Sequence, residues 1–331
     1  MKEALFYESS DYSSVQCRLC SHNCIVKNGE KGICNVRKND NGILYSLVYG
    51  KIAAKNIDPI EKKPLYHFKP RSYTYSFSTT GCNLKCKNCQ NYEISQTKEI
   101  LGAYYSPDAI VGEVVANHLP SISYTYTEPT IYYEFAKDTG LLAKKESVCN
   151  IFVSNGFMTK EVVKDSSEWI DAINIDLKSF FDDFYKKLCK ASVKPVLENI
   201  SSYKESGVWV EITTLLIPEY NDSEKEISQI AKFIKSIDKN IPWHISAFYP
   251  TYLLTNTAPT NPEKVKNARL IGLAEGLNFV YTGNIRYPEG ETTFCPVCGE
   301  LLVSRVGYSV NMGNFERGKC VKCGNIIAGV F

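Results

Sequence analysis

The stretch YTYSFSTTGCNLKCKNCQN, residues 73–91, runs from a β-prone segment straight into a loop that carries Cys82, Cys86 and Cys89. The cysteines are spaced C-x3-C-x2-C. Four protein ligands normally close a structural zinc site, whereas three thiolates on a [4Fe–4S] cluster leave one iron open to a small molecule. An open iron implies chemistry rather than scaffolding. The plain alternative is a zinc site whose fourth ligand comes from elsewhere in the chain.

Downstream of this stretch, short apolar runs alternate with helical stretches, the pattern of a parallel α/β fold. Strands are predicted at 73–79, 121–128, 150–154, 172–178, 208–217, 244–248 and 279–281. The clearest helix spans 224–238, where Ile227, Ile230, Ala231, Ile234 and Ile237 repeat at helical spacing behind a Ser223/Glu226 capping box. Seven strands joined by crossover helices predict an α/β fold, a barrel or partial barrel. A doubly wound open sheet is the competitor. In both, ligands gather at the carboxyl ends of the strands.

The 331 residues are 44% hydrophobic and 22% charged, enough for a substantial core. A net charge of +2 gives no reason to expect nucleic acid or a membrane surface as partner. The first residues, MKEALFYESSDY, contain no apolar run, and no stretch of about 18 apolar residues occurs, so the chain reads as cytoplasmic. Thirteen cysteines in such a chain point to metal ligands rather than disulfides, and eleven of them are clustered.

Two clusters flank the barrel. Cys17, Cys20, Cys24 and Cys34 offer four ligands for zinc or for a second iron–sulfur cluster, with His22 as a substitute ligand. Cys295, Cys298, Cys320 and Cys323 form two CxxCG knuckles, the pattern of a zinc ribbon. Cys149 and Cys189 read as buried small hydrophobes. The expected organisation is a metal-binding module over 1–72, a barrel over 73–290 and a ribbon over 291–331, both ends being too small to fold without metal.

On the predicted strand 172–178, a period of two places Asn174, Asp176 and Lys178 on one face and Ile173, Ile175 and Leu177 on the other. A polar face on a buried strand calls for an occupant, or for an internal Asp–Lys pair. Glu128 ends the second strand, Ser154, Asn155 and Gly156 follow the third, and His244 shares a face with Ser246. Glu211, Thr213 and Asn284 are candidate substrate-side groups.

The cysteine spacing on a loop after the first barrel strand resembles the radical S-adenosylmethionine (SAM) superfamily over residues 73–285, which implies a partial (β/α)6-type TIM barrel. More closely, DPIEKKPLYHF (58–68), GCNLKCKNCQN (81–91), YTYTEPT (124–130), SNGF (154–157), NIDLKSF (174–180), IPEYND (217–222) and PWHISAFYP (242–250) resemble the radical SAM member of the AmmeMemoRadiSam system. That family is similar to pyruvate formate-lyase activating enzymes. The resemblance implies a [4Fe–4S] cluster on Cys82, Cys86 and Cys89 that cleaves SAM reductively, giving a 5′-deoxyadenosyl radical that abstracts a substrate hydrogen. It implies SAM contacts from Glu128, Ser154, Asn155, Asp176, Lys178 and His244. Asp58, Glu61, Lys62, Tyr66 and His67 would face the active site. It also implies an electron donor, with Memo-like and AMMECR-like proteins as partners.

The substrate stays open, a small molecule being the first choice. A glycyl-radical activase acting on a partner protein, and an enzyme breaking another C–S bond of SAM, are alternatives. A zinc-ribbon nucleic-acid-binding protein is the non-enzyme reading; it would be colourless.

Overall fold

The computed structural model describes residues 1–331. Its centre is an eight-stranded sheet: β1 (Ala54–Pro59), β2 (Tyr73–Ser78), β3 (Ser121–Tyr124), β4 (Cys149–Ser154), β5 (Ala172–Asp176), β6 (Trp209–Leu216), β7 (Trp243–Ala247) and β8 (Val280–Gly283). The strands lie side by side in chain order. β1 runs antiparallel to β2, and every other pair is parallel. A doubly wound sheet reverses its strand order at a switch point. This sheet never does, so the architecture is a partial barrel, wound in one direction and left open between β1 and β8. All seven parallel strands lie where the sequence predicts them, and β1 is an addition.

Helices fill the crossovers: α1 (Pro107–Ala116), α2 (Tyr133–Lys145), α3 (Lys160–Ser166), α4 (Lys194–Glu205), α5 (Glu224–Ile237) and α6 (Pro262–Ala274). Ser223 caps α5, its hydroxyl accepting from the Glu226 amide at 3.3 Å. Ile227, Ile230, Ala231 and Ile234 are buried, as the helical period requires. No helix is long and apolar enough to cross a membrane.

Alternation along the strands separates two environments. Ile122, Phe152, Ile173, Ile175, Val210, Ile212, Trp243 and Ile245 are buried on the helix side. There α6 approaches so closely that a Cβ on Gly272 would meet Trp243 and Val280 at 3.1 Å. The opposite face lines the lumen and is polar. In register across it stand Asn174 with Glu211, Asp176 with Thr213, Thr213 with His244, and His244 with Tyr281.

The segment 60–68 plugs the floor of that lumen. Ile60, Leu65 and Phe68 pack against Ile151 and Ala172 at the strand starts. Asn174 donates to the Pro64 carbonyl at 2.8 Å, and Glu211 accepts from the Tyr66 and His67 amides at 3.0 and 2.8 Å. The expected boundary at 72/73 therefore runs between two hydrogen-bonded strands. Val15, Leu19, Val26, Val36 and Leu44 of the N-terminal region also share one core with the barrel.

At the other end, the strands Thr293–Phe294, Leu301–Val306 and Ser309–Met312 form a small antiparallel sheet. Leu302, Val303, Phe315 and Ile327 pack there on Tyr66, Phe279 and Tyr281 of the barrel. The Arg305 guanidinium stacks on the Tyr66 ring at 4.1 Å and donates to the Tyr66 carbonyl at 3.0 Å.

Candidate active site and metal centres

The loop after β2 brings Cys82, Cys86 and Cys89 to the carboxyl-end mouth of the barrel. Gly81 starts it at φ +95°, where a Cβ would strike the Cys34 carbonyl and Val36. The Leu84 amide donates to the Cys82 sulfur at 3.4 Å, and the Ser95 hydroxyl lies 3.1 Å from the Cys89 sulfur. These contacts suit thiolates that bear negative charge.

Cys189, buried in the core as expected, backs directly onto the cysteine loop. Lys85 and Lys87 of the cysteine loop donate their amides to the carbonyls of Cys189 and Leu188 at 2.9 and 3.0 Å. The neighbouring Cys189 thiol and, after it, the Lys178 ammonium hold the Cys86 thiol below its ordinary range. The sequence offered no signal for this, because a π-helical turn at Tyr185–Cys189, followed by Lys190 at φ +58°, makes the placement.

Lys178 stands just beyond β5, its ammonium 2.9 Å from Asp176. Burial lowers its proton affinity, but Asp176, Cys86 and Cys189 more than offset this and hold it charged. Both side chains keep some exposure to the mouth, 20% for Lys178 and 39% for Asp176.

Glu128, Ser154 and Asn155 form a second group on the opposite side of Cys82. The Glu128 carboxylate is buried and accepts from Thr130 N (3.1 Å), Thr130 Oγ1 (2.6 Å), Ser154 Oγ (2.8 Å) and Asn155 N (2.8 Å). Burial nevertheless pushes its proton affinity up. Asn155 in turn donates to Asn83 Oδ1 at 2.8 Å, and its amide nitrogen lies 3.9 Å from the Cys82 sulfur. Within the chain, Glu128 thus ties the ends of β3 and β4 to the cysteine loop.

His244 lies deeper than the mouth. Its Nε2 is 2.6 Å from Glu211, and its ring packs edge-on to Tyr66. Glu211 also receives the Trp209 indole at 3.0 Å; burial opposes its charge, but His244 and the other donors keep it below the usual range. The pair holds the floor plug in place. His67 is buried beside it, between the Tyr281 hydroxyl (2.6 Å) and the Ala328 carbonyl (2.7 Å). Thr213 donates to Asn174 Oδ1 at 2.9 Å, while Asn284 donates to the Ala247 carbonyl at 3.0 Å.

Asp58 faces the lumen from β1 and binds Lys62 at 2.8 Å, Lys63 at 2.7 Å and the Tyr126 hydroxyl. Of the two adjacent lysines only Lys63 is buried, and burial lowers it to about 8. Its ammonium lies 4.5 Å from the Tyr126 ring. Sequence reading singled out neither Lys63 nor Tyr126: nothing in a Lys-Lys doublet says which member turns inward. Glu61 instead points to the Arg71 amide at 2.8 Å.

The two flanking cysteine groups differ. The sulfurs of Cys295, Cys298, Cys320 and Cys323 all lie within 4.8 Å of one another, with Cys295–Cys323 at 3.6 Å and Cys298–Cys320 at 3.7 Å. No other set of three or more potential ligands in the chain closes to that distance. Cys17, Cys20 and Cys34 are buried and Cys24 is partly exposed. The His22 Nε2 lies 2.8 Å from the Asn83 carbonyl.

Comparison with known proteins identifies the family. The profile of the radical SAM superfamily matches residues 76–233. An uncharacterized protein of Methanocaldococcus jannaschii is 44% identical over 332 residues, covering 99% of both chains. A putative glycyl-radical enzyme activating enzyme of the same organism is 34% identical over 203 residues, or 59% of this chain and 75% of the relative. Among solved structures, a radical SAM methyltransferase from Sphaerobacter thermophilus superposes with a TM-score of 0.53 at 18% identity, covering 71% of each chain, a likeness of fold. With the three-cysteine loop on the first parallel strand of a partial barrel, the chain belongs to the radical SAM superfamily and is an enzyme resembling pyruvate formate-lyase activating enzymes.

Proposed function

We propose that this enzyme cleaves SAM reductively and uses the resulting 5′-deoxyadenosyl radical to take a hydrogen atom from a small-molecule substrate held in the barrel lumen. The observation that carries the reading is Lys178, charged and partly open to the mouth, set against Cys86 and paired with Asp176. A [4Fe–4S] cluster on Cys82, Cys86 and Cys89 supplies the electron and the open iron. Lys178 and Asp176 are of opposite charge and suit the carboxylate and ammonium of an amino acid. Asn155, tethered by Glu128, holds the Cys82 side of the loop. The floor plug at 60–68 keeps water from entering below.

The ribbon cysteines suit zinc, since Zn–S bonds of about 2.3 Å place tetrahedral sulfurs roughly 3.8 Å apart. We assign them a structural zinc ion that folds the C-terminal module.

A protein substrate is the second reading, favoured by the relative named as a putative glycyl-radical enzyme activating enzyme. To decide, anaerobic enzyme with SAM and a reductant is given a cell extract divided by ultrafiltration, and 5′-deoxyadenosine and methylthioadenosine are quantified. Stimulation of 5′-deoxyadenosine by the small-molecule fraction alone is expected. Stimulation by the protein fraction with a glycyl-radical signal would favour the activase, and methylthioadenosine would mean that another C–S bond breaks.

A further inference from the structure

We propose that the substrate carries a carboxylate or phosphomonoester group, which Lys63 and the Ser76 hydroxyl hold at the floor of the lumen beneath Tyr126. The inference deepens the small-molecule reading above and rests on it. Two observations carry it: a cationic side chain locked inside the barrel, and hydroxyls beside it that have no partner.

The antiparallel pairing of β1 with β2 sets Asp58 opposite Thr74 and Asn56 opposite Ser76 on the lumen face. Asp58 is full as an acceptor: Lys62 binds one oxygen, and Lys63 and the Tyr126 hydroxyl share the other. One carboxylate against two ammonium groups leaves a positive surplus. Lys62 is partly in solvent, whereas the Lys63 side chain is only 2% exposed. Of the three hydrogens on its ammonium, Asp58 takes one, and the Tyr126 ring lies 4.5 Å away. Burial lowers Lys63 to about 8 in spite of Asp58, so a second anion in this low-dielectric site would be held more strongly than by a surface lysine.

The hydroxyls point the same way. Ser76 and Ser78 are fully buried on β2, and neither oxygen has a hydrogen-bond partner. An unpaired buried hydroxyl is destabilising, and nothing in the fold uses these two. An ion pair kept only to fix the register of β1 would not require them. A site with donors to spare suits a ligand that brings acceptor oxygens, as carboxylate and phosphate do.

Tyr126 joins this floor to the mouth. Its backbone is held at φ +61°, a costly conformation for a bulky residue, and its carbonyl accepts from Asn91 of the cysteine loop at 2.7 Å. Its hydroxyl accepts from Asn56 at 3.2 Å and donates to Asp58. An anion on Lys63 is thus anchored away from the reacting end of the substrate. The far end faces the cysteine loop, and binding of the anion positions the C–H bond to be broken.

The test gives anaerobic holoenzyme, SAM and a reductant the small-molecule fraction of a cell extract, split on an anion exchanger, and reads 5′-deoxyadenosine. Stimulation by the retained fraction is expected. Stimulation confined to the unretained fraction would overturn the proposal and leave the small-molecule reading standing. Stimulation by neither would sink that reading, and the proposal with it. Phosphatase treatment of the retained fraction separates the two sources: stimulation is lost for a phosphomonoester and kept for a carboxylate. Lys63→Met should raise the half-saturating amount of the retained fraction at least tenfold, with a smaller effect on the maximal rate, and Lys63→Arg should recover part of the loss. An unchanged half-saturation in folded Lys63→Met would overturn Lys63 as the anchor. Ser76→Ala removes an unpaired hydroxyl and is expected to fold normally, so it keeps the test decisive if Lys63→Met does not fold. It should raise half-saturation several-fold, and no change would overturn the site.

Discussion

Glu128 and Lys178, both at the mouth of the barrel, use their charge in two different ways. Glu128 spends its acceptors on Thr130, Ser154 and Asn155, so replacing it leaves buried donors without partners. Glu128→Ala is expected to lower stability by about 2–4 kcal/mol, read by urea unfolding of the reconstituted protein. An unchanged midpoint would contradict the tether. Lys178 holds a single partner and some exposure, so Lys178→Ala should leave iron content intact. SAM affinity should fall by about 1.5–3 kcal/mol, roughly ten- to a hundredfold, as measured by equilibrium binding. The period of two read over 172–178 put Asp176 and Lys178 on one face; the strand itself ends at Asp176, and the two side chains meet at 2.9 Å. His244 shares that lumen face too, but periodicity fixes the face and not the depth, and its partner Glu211 places it at the floor.

At the scale of elements, the strand-to-loop junctions decide the geometry of the mouth. Gly156 follows β4 at φ +70°, where a Cβ would lie 2.9 Å from Ile175. Gly156→Ala should cost about 1–3 kcal/mol and shift Asn155 off the cysteine loop, visible as a lower melting temperature and altered cluster EPR. The seven parallel strands were readable because each is buried and apolar on its helix side. β1 was not readable: Lys55, Asn56 and Ile57 are exposed on an edge strand, and the apolar alternation that marks a strand is missing. That Cys189 backs onto the cysteine loop was unreadable for a related reason, since a π-helical turn has no period that a sequence displays.

For the whole molecule, His67 couples the barrel to its C-terminal module through Tyr281 and Ala328. Burial lowers it from 6.5 to about 4. The folded chain therefore keeps His67 neutral while the unfolded chain takes up a proton. Stability is full above about pH 6.5 and falls as the pH drops toward 4, by up to about 3 kcal/mol from this group. His67→Gln should flatten that part of the stability profile, as followed by urea unfolding between pH 7 and 4 in about half-unit steps. The ribbon core is small, so chelating the zinc proposed for it should make residues 293–331 protease-sensitive while the barrel stays resistant.

The central claim is that Cys82, Cys86 and Cys89 hold the cluster that cleaves SAM. Its most direct test compares wild type with Cys86→Ala, both reconstituted anaerobically and given SAM and dithionite, with 5′-deoxyadenosine as the readout. The account predicts 5′-deoxyadenosine from the wild type and none from a folded Cys86→Ala. Equal formation by both would contradict it.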